Sequence, residues 1–170
     1  MNKKLLVLTL CTGTFLSNIS YAIDGTVNFT GNIIATTCSV DPAEQNQTKL
    51  LGNYDASSFK NTGDVAGSVA FSIHLMDCDT SITQAGVRFD GARANGNNDI
   101  LAVTGGAAGI GVALYEKDSS TFLPLSKTST PITISNSVGE LSFVAKYMAT
   151  NTTVTPGQAN AVTQFSIDYN

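Results

Sequence analysis

Apolar and polar residues alternate with a period of two along most of the chain. In residues 69–75 the odd positions are large and apolar, whereas the even positions are small or polar. The same alternation recurs in residues 110–114, 141–147 and 165–169. Because successive side chains of a strand point to opposite faces, this pattern predicts half-buried β-strands. No window of a dozen residues shows a stronger helical pattern.

Glycine, asparagine, aspartate and serine residues separate these runs, and such residues favour turns. About nine or ten short strands therefore fit into the chain, which predicts an all-β antiparallel sandwich of immunoglobulin type. The chain has no Trp, so the buried Trp of true immunoglobulin domains is absent. No repeat or linker divides the sequence, so we expect one domain. The clearest turn sequences lie at 90–91, 95–98, 105–106, 118–120 and 138–139.

The first 22 residues have the pattern of a secretory signal peptide. Lys3 and Lys4 precede an apolar run over residues 5–16, and the small-x-small sequence 20–22 follows. A membrane span would need roughly 20 apolar residues, which this run does not reach. We therefore expect cleavage after Ala22, with residues 23–170 exported as the mature chain.

The charge of the mature chain restricts its partners. Loss of Lys3 and Lys4 with the signal peptide would change the formal net charge from −4 to −6. The remaining Lys and Arg residues are scattered, whereas nucleic-acid binding depends on clustered cations. An acidic surface also disfavours anionic membranes. We expect neither a nucleic-acid partner nor direct membrane insertion.

The mature chain retains two cysteines, Cys38 and Cys78, because Cys11 lies in the signal peptide. An oxidising compartment favours a single disulfide between them. The alternative is a pair of buried free thiols. A structural zinc site is disfavoured, because two cysteines 40 residues apart lack the short paired spacings of such sites.

The start of the mature chain is amphipathic. Over residues 23–33, one strand face carries apolar residues and glycine, while the other carries Asp, Thr and Asn. The alternation changes phase near Ile33 and Ile34, which predicts a bulge or bend. Two interpretations remain open: a strand that docks outside its own domain, or an ordinary first strand of the sandwich. The first face consists of Gly25, Val27, Phe29, Gly31 and Ile33.

The end of the chain is a second alternating segment, residues 163–170. Loose termini are normally polar and frayed, whereas this one carries Phe165, Ile167 and Tyr169 on one strand face. The pattern predicts a packed terminal strand.

The sequence offers little support for catalysis. His74 is the only histidine, and its position on the polar face of a strand favours a solvated residue. The glycine-rich sequence 105–111 lacks the Lys-Ser/Thr of a phosphate-binding loop, so a flexible connection is the simpler interpretation. Asp77 and Asp79 do not have the spacing of a calcium loop. We predict no enzyme activity, no cofactor and no metal site.

Five short motifs follow each other in the mature chain. They are TCSV at 37–40, MDCD at 76–79, VRFDG at 87–91, KYMAT at 146–150 and TPGQANA at 155–161. With the amphipathic start and the terminal strand, they resemble the structural pilins of bacterial chaperone-usher, type 1-like fimbriae. The resemblance covers the whole mature chain, and its specificity lies in the order and spacing of the motifs.

The resemblance implies an incomplete immunoglobulin-like sandwich that lacks its final strand. In this family a periplasmic chaperone lends a strand, and the N-terminal extension of the next subunit replaces it at the outer-membrane usher. The implied boundaries are a signal peptide over 1–22, a donor-strand extension over 23–33 and a pilin domain over 34–170. The donor face would be Gly25, Val27, Phe29, Gly31 and Ile33, and the recognition motif for chaperone and usher would be Gly157, Phe165, Ile167 and Tyr169.

The implied function is that of a structural fimbrial subunit, which polymerises by donor-strand exchange and supports cell adhesion. Its partners would be neighbouring pilin subunits, the chaperone and the usher, and it would pass through the periplasm to the surface fimbrium. Both a major and a minor or adaptor subunit remain open. The alternative function is a self-contained secreted β-sandwich that binds a sugar or a protein.

Overall fold

The computed structural model describes residues 25–31 and 37–170. The chain divides into two units, Met1–Ile34 and Ala35–Asn170. Within the first unit, residues 25–31 have no regular secondary structure. The predicted bend near Ile33 and the signal peptide lie outside the described residues. Among the described residues, no helix has the length and apolar character that a membrane crossing requires.

The second unit is built from strands, and its described part contains no α-helix. One short 3₁₀-helix, Ala56–Ser58, interrupts the long connection between the first two strands. The ten strands in residues 37–170 agree with the nine or ten expected. They are β1 (Ser39–Val40), β2 (Val65–Met76), β3 (Gln84–Gly91), β4 (Arg93–Ala94), β5 (Asn97–Ala102), β6 (Ile110–Glu116), β7 (Phe122–Leu123), β8 (Ile132–Thr133), β9 (Gly139–Ala149) and β10 (Thr163–Tyr169).

Two antiparallel sheets form the sandwich. The larger sheet has the strand order β1-β2-β9-β6-β5-β4, and β7 pairs with β6. The smaller sheet has the order β10-β3-β8. The four alternating segments of the sequence lie within β2, β6, β9 and β10, so the period-two pattern predicted the principal strands correctly.

The main core lies between the sheets and is rich in aromatic rings. Phe71 of β2 pairs in register with Phe143 of β9, and Phe165 of β10 pairs with Phe89 of β3. The rings of Phe89 and Phe143 meet across the sandwich edge to face, with centroids 5.0 Å apart. Such buried aromatic pairs stabilise the fold beyond their area of burial.

A disulfide joins Cys38 to Cys78, as predicted from the cysteine count. Cys38 directly precedes β1, and Cys78 follows β2 in the turn that leads to β3. The alternative of two free thiols is therefore wrong. The bond fixes the short β1 to the end of its longer partner.

Candidate strand-addition site

The terminal strand β10 lies at the edge of the smaller sheet. It pairs over its whole length with β3, from Thr163 opposite Gly91 to Tyr169 opposite Ala85. Its other edge has no strand neighbour in the part of the chain that the structure describes. Such an edge leaves backbone N–H and C=O groups available to another strand.

The inward face of β10 is covered less completely than that of β3. On β3, Ala85, Val87 and Phe89 are 0, 0 and 1% exposed. Their register partners on β10, which are Tyr169, Ile167 and Phe165, pack against the same core but are only partly buried. The core therefore reaches solvent along β10, on the side where the sheet has no further strand.

Other half-buried side chains of the core come from β1, β2 and the connection between them. Val40 of β1, Leu51 of the following connection and Phe71 of β2 pack against the main core without full burial. We call these three residues, together with the three half-buried residues of β10, the open seam. Its members are Val40, Leu51, Phe71, Phe165, Ile167 and Tyr169.

One end of the open seam is tied by hydrogen bonds. The amide of Cys38 donates to the Tyr169 hydroxyl at 3.3 Å, and this hydroxyl lies 3.4 Å from the Cys38 carbonyl oxygen, to which it donates. Asn170 and Gln84 exchange backbone hydrogen bonds at 3.0 and 3.1 Å. The prediction of a packed terminal strand is therefore confirmed.

The N-terminal segment carries its apolar side chains in solvent. Val27 is 76% exposed and Phe29 is 93% exposed. Added Cβ atoms at Gly25 and Gly31 would meet no atom within 4 Å. Ile33, the fifth residue of the predicted donor face, lies outside the described residues. The docking role of this face stays a prediction.

Gly157 lies apart from the other three residues of the predicted recognition motif. It belongs to the loop before β10, where its backbone packs against the glycine-rich connection between β5 and β6. An added Cβ would overlap the Ala107 nitrogen and the Gly106 carbonyl carbon. Backbone hydrogen bonds between Thr104 and Asn160 hold the two loops together. A close backbone contact is thus sufficient to explain the glycine.

The open-seam residues outside β10 could not be predicted from the sequence. Leu51 lies in a connection without strand pairing, and its apolar neighbour Leu50 is 86% exposed. The side chain of Phe71 belongs to a strand that alternates regularly, so nothing local marks it as less buried than Ile73. The apolar pair Leu50-Leu51 inside a polar connection was the one local sign that this connection contacts the core.

The polar residues His74 and Asp79 form structural hydrogen bonds. His74 is half-exposed, and its Nδ1 lies 2.7 Å from a Glu44 carboxylate oxygen. The hydrogen bond to Glu44 raises the pKa of His74 above its ordinary value, and the nearby charges of Glu140 and Asp41 act in the same direction. Asp79 accepts hydrogen bonds from Ser81, which lower the pKa of its carboxyl. Within residues 25–31 and 37–170, no three metal-ligating side chains cluster.

A family model described as "Fimbrial protein" matches residues 27–170. The chain belongs to the fimbrial protein family. The fimbrial subunit is 34% identical to the type-1 fimbrial protein, A chain, of Salmonella typhi, with 99% of this chain and 100% of the relative covered. It is 35% identical to the probable major fimbrial subunit LpfA of Escherichia coli O157:H7, with 86% of this chain and 84% of the relative covered.

A solved structure is also similar to the fimbrial subunit. It is an antigen and type I fimbria protein of Burkholderia pseudomallei, which is 34% identical. The match covers 85% of this chain and 97% of that one, with a TM-score of 0.61. The expectation of a structural pilin with an incomplete, all-β sandwich is confirmed, and the subunit belongs to a surface fimbrium made with other pilin subunits.

Proposed function

We propose that this fimbrial subunit polymerises by strand donation, with the open seam as the acceptor. The observation that carries the proposal is the combination of a free edge on β10 and a half-buried apolar face on the same strand. An added strand satisfies the backbone groups of β10 and, through alternate side chains, covers Phe165 and Ile167. One strand thereby completes both the hydrogen-bond ladder and the core.

The donor is the N-terminal extension of a second subunit, residues 23–33. Burial of Val27, Phe29 and Ile33 contributes about 1.5 to 3 kcal/mol each, or roughly 5 to 9 kcal/mol before ordering costs. Gly25 and Gly31 allow the donor backbone to approach the acceptor closely, because glycine has no side chain. The exposure of Val27 and Phe29 supports this assignment, since large apolar side chains in solvent are favoured to be covered.

Before assembly, a periplasmic chaperone strand occupies the same acceptor, and an outer-membrane usher exchanges it for the donor. Residues 1–22 direct export and are removed, so the subunit passes through the periplasm to the surface. Its contribution to cell adhesion is structural and involves no catalysis. A chaperone is needed because an uncovered edge with apolar side chains promotes aggregation.

The assembly state of the mature chain tests this proposal. We expect a one-to-one complex when residues 23–170 are produced in a periplasm with the cognate chaperone. Subunits released from this complex should form ladders in electrophoresis that disappear on heating. Deletion of residues 23–33 should retain chaperone binding but abolish donation. A stable monomer formed without chaperone would contradict the proposal and favour a self-contained binding domain.

A further inference from the structure

The strand β2 also has an edge that no full strand covers. On one side β2 pairs with β9, and on the other β1 contributes only two residue pairs, which involve Leu75 and Met76 of β2. One further backbone bond follows, from the Asp41 amide to the His74 carbonyl at 3.0 Å. Beyond this bond the chain leaves the strand conformation and forms a turn over residues 42–46.

Side chains of this turn bind the edge of β2 where β1 ends. A carboxylate oxygen of Glu44 accepts the His74 backbone N–H at 2.5 Å, and the other lies 2.7 Å from His74 Nδ1. The Gln47 amide nitrogen donates to the Ser72 carbonyl at 2.6 Å. Glu44 and Gln47 thus occupy positions that the backbone of a paired strand would take.

The turn is braced internally, so these side chains are held in place. Gln47 also donates to the Glu44 carbonyl at 3.2 Å, and Gln45 donates to the Val40 carbonyl at 3.1 Å. The Ala43 amide donates to the Asp41 carboxylate at 2.9 Å. A strand that pairs with β2 at this point must displace these groups and leave a carboxylate or amide without its partner, which is unfavourable.

The free edge of β10 carries no comparable cover. In the part of the chain that the structure describes, no side chain of another element is hydrogen-bonded to the backbone of Thr163–Tyr169. The two edges therefore differ: over Ser72–Met76 the β2 edge is covered by β1 and by the side chains of Glu44 and Gln47, whereas no side chain of the described residues covers the edge of β10. Natural β-proteins commonly protect edges in such ways against wrong pairing.

We propose that residues 41–47 are an edge guard, in which Glu44 and Gln47 cap β2 and thereby confine strand addition to β10. The proposal rests on the strand-donation function above and adds the residues that select the correct edge. In this proposal, Glu44 and Gln47 do not contact the donor strand but prevent a strand from pairing with β2. His74 supports Glu44 through its ring, which also lies 3.8 Å from Glu140.

Photo-cross-linking with a synthetic donor peptide tests the edge guard. The peptide contains residues 23–35 with a photoreactive group at position 29, and it is added in excess to the chaperone complex of the mature chain. Labelling of the parent should be confined to β10 and its seam neighbours. The double variant Glu44→Ala, Gln47→Ala should in addition label residues 68–74 of β2, with an increase of about tenfold, as expected when hydrogen bonds of ordinary strength are lost.

Two further variants separate capping from a general loss of structure. Gln45→Ala removes a hydrogen bond of the same turn but leaves the β2 edge capped, so its labelling should match the parent. Glu44→Gln keeps an acceptor for the His74 amide. Its labelling should therefore stay largely confined to β10, as in the parent, and this comparison holds even where the double variant folds poorly. Labelling confined to β10 in a folded double variant, or equal β2 labelling in Gln45→Ala, would overturn the edge guard.

Failure of strand donation itself would give a different result. If the peptide does not label β10 of the parent, the proposed function fails, and self-association then tests the guard without a donor. Sedimentation velocity should show larger species for the double variant than for the parent and Gln45→Ala. Identical distributions for all three chains would overturn the edge guard.

Discussion

The Tyr169 hydroxyl lies 3.3 Å from the amide nitrogen of Cys38, a residue 131 positions away in the sequence. This contact ties the last strand of the smaller sheet to the disulfide that fixes β1 in the larger sheet. The two sheets are therefore joined at one end of the open seam. Away from this contact, Phe165 and Ile167 of β10 are only half-buried.

Removal of the Tyr169 hydroxyl should weaken this tie without changing the seam's apolar surface. For Tyr169→Phe we expect a decrease of about 1 kcal/mol in the free energy of unfolding, because the hydrogen bonds to Cys38 are lost. Urea unfolding measures this change, on the subunit with the donor peptide of residues 23–35 bound, here called the peptide-completed subunit. Tyr54→Phe is the control, since its hydroxyl has no partner among the described residues. Equal stability of the two variants would contradict the tie.

A charge on the donor face should prevent polymerisation. We expect Phe29→Asp to abolish heat-sensitive ladders, because a carboxylate cannot be buried in an apolar acceptor without a partner. Thr30→Asp is the matched control: it places the same charge next to Phe29 but on the opposite strand face, and it should still polymerise. The comparison is made by electrophoresis without heating. Ladders of equal intensity would refute the donor-face assignment.

A charge on the inward face of β10 should abolish capture by the chaperone. Phe165→Glu places a carboxylate in the half-buried face that packs against Phe89, whose ring centroid is 6.4 Å away. The neighbouring Gln164→Glu adds the same charge at an exposed position. Co-purification with the chaperone should be lost only for Phe165→Glu. Capture of both variants at parental levels would exclude this face as the recognition surface.

Gly157→Ala should reduce stability through the contact between two loops. The new methyl group would overlap the Ala107 nitrogen, and such overpacking typically costs about 1 to 3 kcal/mol. Thermal unfolding of the peptide-completed subunit should show a lower midpoint than for the exposed control Thr152→Ala. If Gly157 acts only in this contact, the folded fraction should still bind the chaperone. Full stability combined with lost capture would instead support its predicted recognition role.

The hydrogen bond between the His74 ring and the Glu44 carboxylate should respond to pH. The pKa of His74 is raised in the folded state, mainly by its hydrogen bond to Glu44. Its contribution to stability is therefore complete below the ordinary histidine pKa and is lost as the pH rises through the raised value. The effect should stay below about 1 kcal/mol, because water screens a half-exposed pair. Denaturant titrations of the parent and His74→Gln at pH 5 and 8.5 should show this loss in the parent alone.

Much of the fold could be predicted because its signals are local. The alternation in residues 69–75 or 165–169 follows directly from the geometry of a strand, and it correctly indicated β2 and β10. The disulfide followed from a count of two cysteines in an exported chain. The family followed from the order of short motifs, which the match over residues 27–170 confirms.

The candidate site could be predicted only in part. The sequence identified the apolar face of β10, which includes Phe165 and Ile167, but gave no sign that this face is only partly covered. The resemblance assigned Gly157 to the recognition motif, which stays a prediction, and gave no sign of its close contact with Ala107, a residue 50 positions earlier. The sequence predicted a solvated strand histidine at position 74, and His74 is indeed half-exposed, but its contacts with Glu44 and Glu140 from other elements could not be predicted.

By itself, the sequence determined the principal strands β2, β6, β9 and β10 and the alternation of their side chains between two faces, because both depend on neighbouring positions. The tertiary structure alone decided that β10 is an edge strand, that β2 is capped by Glu44 and Gln47, and that Phe165 and Ile167 of β10 are only half-buried. These features depend on which distant strands pair and where the pairing stops. Their physical cause is hydrogen bonding between segments far apart in the chain. A local pattern of side chains cannot predict such long-range pairing.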